Sequence, residues 1–420
     1  MKSQALMSAA TSTTTAVPGG GLADVDLVRL GARSGWLWRG HDLVLAGIGP
    51  AQRIGVERPE GGPHAQAILD ELTGENELGD VAGTGAVGFG AFPFDPRRNA
   101  HLDVPSIVIG ETTGVRWLTV FEPFTRADAA RRIMALADDE RKGPWPTKVV
   151  VTPGRPADEW RDSVVAVARD RVASSSLEKA VLARELVVTG DAPFDPATIV
   201  ERLDHRFPGA MVFAIDGFVG ASPELLVSRS GRLVNAHPLA GTAARSADTT
   251  ADEESKTALL ASSKDRSEHN ITIEWLLNEL RPACSYIDAE PEPSVVTLAN
   301  VHHLGTIVEG MLSEPAVSIL DLVAAVHPTP ALGGAPQADA LALIAELEGF
   351  DRARYGGPAG WVDAQGNGAF AVGVRTAQLT GDRATVCAGV GVVAQSDPQA
   401  ELEETQAKFG ALLGALLAGR

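Results

Sequence analysis

The stretch that most constrains this chain runs from Ala369 to Leu417. Two alternating apolar segments, Ala369 to Leu379 and Ala384 to Val393, flank a Gly381-Asp382 turn, and Gln399 to Leu417 follows with helical spacing. Lys179 to Val188 is rich enough in Val and Leu to be a buried strand, and Ala197 to Phe207 places Ile199, Val200, Leu203 and Phe207 on one helical side. Strands are expected at Val115 to Phe121, Met211 to Val219, Leu225 to Ser228 and Arg232 to Ala236. Helices are expected at Arg126 to Lys142, Asp158 to Ser174 and Ser263 to Leu280, the last stopping before Pro282. Long strands and helices mix without a strict βαβ repeat, which points to an α+β fold.

Residues 1–25, Ser/Thr-rich and without the apolar centre of a signal peptide, read as a disordered tail. The stretch Lys142-Gly-Pro-Trp-Pro-Thr147 breaks the pattern and is a soft boundary between an N-terminal part, 26–147, and a C-terminal part, 148–420, where chemically suggestive motifs crowd. With 54 acidic residues against 36 Lys and Arg, the net charge of −18 disfavours a nucleic-acid partner. No run of about 18 apolar residues is present to span a membrane. Only two cysteines occur, Cys284 and Cys387, far apart, so neither a disulfide framework nor a zinc set is available, and a cytoplasmic location fits.

Several residues stand out for chemistry. Asp265 and Glu268 lie three apart on one expected helix, and Glu401, Glu404 and Lys408 share a face of the last one, with the apolar stripe Leu402, Phe409, Leu413 and Leu416 round the cylinder from them. Such carboxylates suit magnesium; a solvated face with an intrahelical Glu-to-Lys pair is the other reading. Alternation places Arg375 on one strand face with Ala369, Ala371 and Gly373, leaving room for a planar anion, or else for a structural carboxylate. Cys387, Gly389 and Gly391 are again small and share a face. Lys179 opens an apolar strand and Glu224 follows the turn Gly220-Ala221-Ser222-Pro223; they are a base and acid pair if burial shifts them, and strand-end charges if not. His302 and His303 point to opposite faces of a strand, so one of them can touch a ligand while both cannot bind one metal. The Gly-rich pieces at Gly217 to Gly220 and Gly333 to Pro336 lack the context of a nucleotide site.

In order, EKAVLAR at Lys179, GASPELL at Glu224, HPLAGTAAR at Gly241-Thr242, SSKDRSEH at Glu268, HHLGT at His303, HPTPALGGAP from His327, RARYGGPAGW at Tyr355, AFAVGVRTA at Arg375, CAGVGVV at Gly389 and ELEETQAKF at Glu404 together resemble the chorismate-utilising enzymes. That family comprises anthranilate, aminodeoxychorismate, isochorismate and salicylate synthases. The resemblance implies one large α+β unit of two stacked, mainly antiparallel sheets flanked by helices, with a cleft in the C-terminal part. It implies magnesium held by Glu268 and Glu404, with Glu401 behind them, and chorismate as substrate. Arg375, Tyr355 and the Gly389 to Gly391 backbone correspond to binders of the enolpyruvyl carboxylate, and Gly241, Thr242, His303, Ala331, Leu332 and Lys408 to the remaining substrate surface. Lys179 corresponds to the base that activates water for attack at ring carbon 2, and Glu224 to the acid that protonates the departing 4-hydroxyl.

Within the family, Ala240 stands in PLAGT where aminodeoxychorismate synthases carry a Lys, and Ala331 where anthranilate and salicylate synthases carry a Thr. The tract His327-Pro-Thr-Pro-Ala-Leu332 has the form typical of isochorismate synthases, and no glutamine amidotransferase segment or subunit is expected. The resemblance therefore implies an isomerase that forms isochorismate, for siderophore or menaquinone supply. A salicylate synthase, which continues by losing pyruvate, is the alternative.

Overall fold

The computed structural model describes residues 11–56, 62–139, 143, 145–298 and 301–417. Its strand pairs are antiparallel throughout the named strands, and they form two arms joined at one long strand, Ala100–Thr112. The first arm runs through Val115–Phe121, Ala100–Thr112, Leu43–Val56, Trp36–Arg39, Met211–Ile215, Phe218–Ser222, Thr376–Thr380, Arg383–Val392, Lys179–Gly190 and Val149–Pro153. The second begins at Val87–Ala91, which meets Ala100–Thr112 at Phe89 and Asp103, and continues through Pro358–Asp363, Gly368–Val372, Leu225–Ser230, Leu233–His237, Val308–Leu312 and Cys284–Ala289.

Trp38, Leu45, Phe213 and Phe218 from the first arm share one buried cluster with Phe89, Trp361 and Ala371 from the second, so the arms stack face to face. This is the layered α+β architecture expected from the sequence, with the two sheets merged at their shared strand. Helices Pro196–Arg206 and Pro398–Leu417 cover the opposite face of the first arm, burying Ile199, Leu203, Phe409, Leu412 and Leu416 against Val188, Val212, Val219 and Val386. A separate three-stranded sheet, Leu239–Ala244, Val301–Gly305 and Ser294–Thr297, lies beside helix Ser263–Leu280. Among the described residues no helix is long and apolar enough to cross a membrane.

Four expectations need correction. The tail expected over 1–25 is ordered from Ser12, because Ser12–Ala16 pairs with Val115–Phe121 and buries Ser12 and Thr14; residues 1–10 lie outside the described ones. A Thr-rich run looks like low complexity, yet its β-branched residues suit a strand, and Thr14 Oγ1 meets Thr119 Oγ1 at 2.8 Å inside the protein. Met211 to Val219 is no single strand: Asp216 and Gly217 adopt left-handed φ values of 50° and 77°, which turn the chain into a hairpin. Ala369 to Leu379 breaks likewise after Val372, and the alternation that was to orient Arg375 stops there, since Arg375 itself has φ of 53°. The helix expected to reach Lys142 runs over Arg126–Ala137, opened by a Thr125–Asp128 capping box, and 140–142 lie outside the described residues.

Candidate active site

Lys179 is the first residue of strand Lys179–Gly190 and is only 5% exposed. On one side its strand pairs with Arg383–Val392; on the other it meets the short Gly334–Ala335 strand. A buried ammonium needs a partner, and Lys179 Nζ donates to Glu268 Oε1 at 2.5 Å. Glu268 comes from helix Ser263–Leu280, whose start is fixed by the Ser262 hydroxyl accepting from the Asp265 N–H. Burial acts to raise the Glu268 carboxyl, but the Lys179 charge beside it prevails and holds it below the ordinary value. Gly391 makes the pair possible: a Cβ there would stand 2.5 Å from Lys179 Cε.

Glu224 lies between strands Phe218–Ser222 and Leu225–Ser230, tied by its N–H to Ser222 Oγ at 3.3 Å and by its carbonyl to the Val372 N–H at 3.0 Å. Burial pushes its carboxyl up to about 7, against the lowering pull of the Leu239 N–H and of Arg375, Lys179 and Lys408. About half of it is therefore protonated at neutral pH.

Arg375 and His303 form a second unit. His303 Nδ1 lies 3.1 Å from the Gly241 carbonyl and from Thr242 Oγ1. A carbonyl only accepts, so Nδ1 carries the proton and the Nε2 lone pair accepts from Arg375 Nη2 at 3.0 Å. Burial and the neighbouring Arg375 hold His303 far below its ordinary value, consistent with a neutral ring. Burial lowers Arg375 to about 10, which leaves it charged. His302 points the other way, to Asp252 and Thr297, as strand alternation requires.

The C-terminal helix Pro398–Leu417 closes the remaining side. Lys408 Nζ donates to Glu404 Oε1 at 2.7 Å and to the Gly389 carbonyl at 2.8 Å. The Tyr355 phenol accepts from the Gly389 N–H, and burial raises it well above its ordinary value. Ala331 and Leu332 sit on a turn tied by Leu332 N–H to the Thr329 carbonyl at 3.0 Å.

One cleft of about 940 Å3, its open mouth included, gathers Lys179, Glu224, Gly241, Thr242, Glu268, His303, Ala331, Leu332, Tyr355, Arg375, Gly389, Gly391, Glu404 and Lys408. Glu401 does not line it; burial, partly offset by the Ser396 hydroxyl, raises its carboxyl. Val181, Pro223 and Val374 also line the cleft without having been singled out. Phe409 lines it too, although the sequence set its stripe round the helix from the carboxylates; it stands at the border, touching both cleft and core.

Two carboxylates thus reach the cleft from two helices, each matched with one lysine. Hard oxygen donors in this number fit a divalent cation such as magnesium, which takes one or two protein carboxylates and completes its shell with water and substrate oxygens. Among the described residues, the one tight grouping of three ligand atoms lies elsewhere, at His101, Asp103 and Asp216, where Arg53 and Arg354 already neutralise the aspartates.

Residues 3–417 match the family model described as chorismate binding enzyme. The chain belongs to the chorismate-binding enzymes. Among curated members of this family, the isochorismate synthase of Bacillus subtilis strain 168 is 33% identical, with 81% of this chain and 77% of that protein aligned. The isochorismate synthase of Escherichia coli K12 is 35% identical, with 77% and 79% aligned. The solved structure of the menaquinone-specific isochorismate synthase from Escherichia coli superposes with a TM-score of 0.81 over 97% of this chain and 95% of that one, at 24% identity, which speaks for the shared fold.

Proposed function

We propose that this chorismate-binding enzyme is an isochorismate synthase: it adds water at ring carbon 2 of chorismate and expels the 4-hydroxyl, releasing isochorismate. The observation that carries the reading is the pairing, within one cleft, of a buried amine at Lys179 with a carboxyl at Glu224 held protonated to about 7. Water is a poor nucleophile and hydroxide a poor leaving group, so the reaction needs a base and an acid acting on opposite ends of one displacement. Lys179 takes a proton from the attacking water as the bond from oxygen to carbon 2 forms. Glu224 gives its proton to the 4-oxygen as the bond to carbon 4 breaks, and one water leaves for the one that entered.

The Lys179 amine is engaged by Glu268, so its work as a base requires that contact to open. Glu268 and Glu404 are the residues that would hold magnesium, which when bound supplies a positive charge for a substrate carboxylate. Arg375 is kept aimed by neutral His303 and offers its guanidinium to the other carboxylate, beside the small Gly389 and Gly391. Leu332 and Ala331 present no hydroxyl to the ring, which favours release of isochorismate over loss of pyruvate. The relatives named as isochorismate synthases support the same product. The enzyme is expected to work in the cytoplasm on free chorismate.

Incubation with chorismate and magnesium, followed by chromatography, tests the reading. Isochorismate approaching equilibrium with chorismate is expected, and excess chelator should stop its formation. Salicylate and pyruvate appearing as fast as chorismate disappears would overturn the product assignment.

A further inference from the structure

Strand Lys179–Gly190 is central to the sheet, yet part of one edge has no backbone neighbour. Residues 180–189 pair along the other edge with Arg383–Val392. On the first edge the Gly334–Ala335 strand is so short that its last contact is the Val181 N–H donating to the Gly333 carbonyl at 3.0 Å. Strand Val149–Pro153 takes up that edge again only at Leu186. In between, the Val181 carbonyl and the Ala183 N–H and carbonyl are buried polar groups that a sheet would normally satisfy.

Side chains replace the missing strand. Arg352 Nη2 donates to the Val181 carbonyl at 2.5 Å, Glu348 Oε1 accepts from the Ala183 N–H at 2.6 Å, and Trp160 Nε1 donates to the Ala183 carbonyl at 3.1 Å. Glu348 and Arg352 are themselves an ion pair, with Arg352 Nε 2.9 Å from Glu348 Oε2, and both are at least nine-tenths buried. The guanidinium lies over the Phe94 ring, 4.2 Å from its centroid. Its remaining arm is the informative one: Arg352 Nη1 donates to the Leu332 carbonyl at 3.0 Å. One planar fork therefore holds the strand that begins with Lys179 and the turn that carries Ala331 and Leu332. The Arg352 carbonyl accepts from the Tyr355 N–H at 2.9 Å, so another cleft residue hangs from the same point.

Resting on the assignment of Lys179 as base, we propose that Glu348 and Arg352 are positioning residues: beside the backbone pairing of Gly334–Ala335 with Lys179 and Ala180, their fork holds the strand of the Lys179 amine in place against the Ala331–Leu332 wall on which the substrate ring lies. A fold needs these backbone groups satisfied, but it does not need one rigid guanidinium to satisfy two cleft walls at once. Arg375, which receives the carboxylate, is not held by the fork. Loosening the fork should therefore disturb the water-addition step more than substrate capture, since misplacement of a reacting group by about 1 Å can cost roughly a hundredfold in rate.

The test is Arg352→Lys, which keeps the charge beside Glu348 but replaces a planar fork by a single ammonium. Turnover of chorismate with magnesium is followed by chromatography well below the melting temperature of each variant. We expect kcat to fall about 10- to 100-fold with KM for chorismate within about threefold of wild type. In a Lys179→Ala background the same substitution should change the residual rate less than about twofold, because the base it positions is gone. Should Arg352→Lys not fold, Glu348→Gln is judged by the same criteria, since its amide oxygen still accepts from Ala183. A folded variant with wild-type kcat, or an equal loss with and without Lys179, overturns the proposal and leaves the pair a structural one. Wild-type kcat in Lys179→Ala alone would instead overturn the base assignment.

Discussion

A buried carboxyl moved from 4.5 to about 7 stores its own pH dependence. In its proposed role as the acid, Glu224 works only while protonated, so the rate should decline as pH rises through about 7. Stability follows the same proton: the folded-state value is raised, so its contribution is complete below the ordinary value and is lost as pH climbs through about 7, at a cost on the order of 3 kcal/mol. Glu224→Gln should therefore lower turnover roughly 10²- to 10⁴-fold while melting above wild type at pH 8, with the difference gone near pH 4 by calorimetry. Gly391→Ala makes a second prediction. Its new methyl would collide with the flexible end of Lys179 and not with backbone, so circular dichroism should be unchanged while kcat falls more than about tenfold. The residues proposed to react could be singled out at this scale because an acidic, a basic and an arginine side chain stand out among small or apolar neighbours, and the cleft brings them together. Their contacts could not. Lys179 meets Glu268 across 89 residues, and His303 is aimed by a carbonyl at Gly241, neither of which any local spacing encodes.

Elements were legible where one period held from end to end. Strand Val115–Phe121 and helix Ser263–Leu280 have the bounds that apolar alternation and the downstream proline predict. Periodicity failed where a left-handed residue interrupts an apolar run, at Asp216 and at Arg375, because nothing in the hydrophobic pattern marks a change of φ. The second interruption falls at a cleft residue: Arg375 leaves the strand pattern there and its guanidinium reaches His303. Helix Pro398–Leu417 illustrates a contact of another kind. Arg184, 6% exposed, donates from Nε to Thr405 Oγ1 at 2.9 Å and lies 5.1 Å from the Phe409 ring centroid. This fastens the helix that carries Glu404 and Lys408 to the strand that carries Lys179. Thr405→Val should strand that buried N–H and lower unfolding free energy by about 1–3 kcal/mol in urea titrations.

The whole molecule carries −18, yet in its cleft Lys179 and Lys408 are matched by Glu268 and Glu404, and Arg375 adds a positive charge aimed at a carboxylate. A carboxylate-bearing substrate is repelled at long range and welcomed at short range. Salt screens the first effect more than the second, its reach falling from about 30 Å at 0.01 M to about 8 Å at 0.15 M. The value of kcat/KM should accordingly rise as sodium chloride is added over that interval, measured at fixed magnesium; a steady fall would mean that the local cations govern encounter. Net charge was plain in the sequence, whereas the interleaving of the chain was not. Trp36–Arg39 pairs with Met211–Ile215, and Val87–Ala91 with Pro358–Asp363, so strands from either side of residues 142–147 alternate within one sheet. Such long-range pairing leaves no trace in local pattern. It also sets an order of events on the ribosome. The strand of Lys179 is synthesised some two hundred residues before its neighbour Arg383–Val392 and before the helix bearing Glu404. Until those last segments emerge, a Val- and Leu-rich ribbon waits with an open edge, the kind of unpaired strand that other chains can join, so copies ended before Arg383 should be the ones that aggregate.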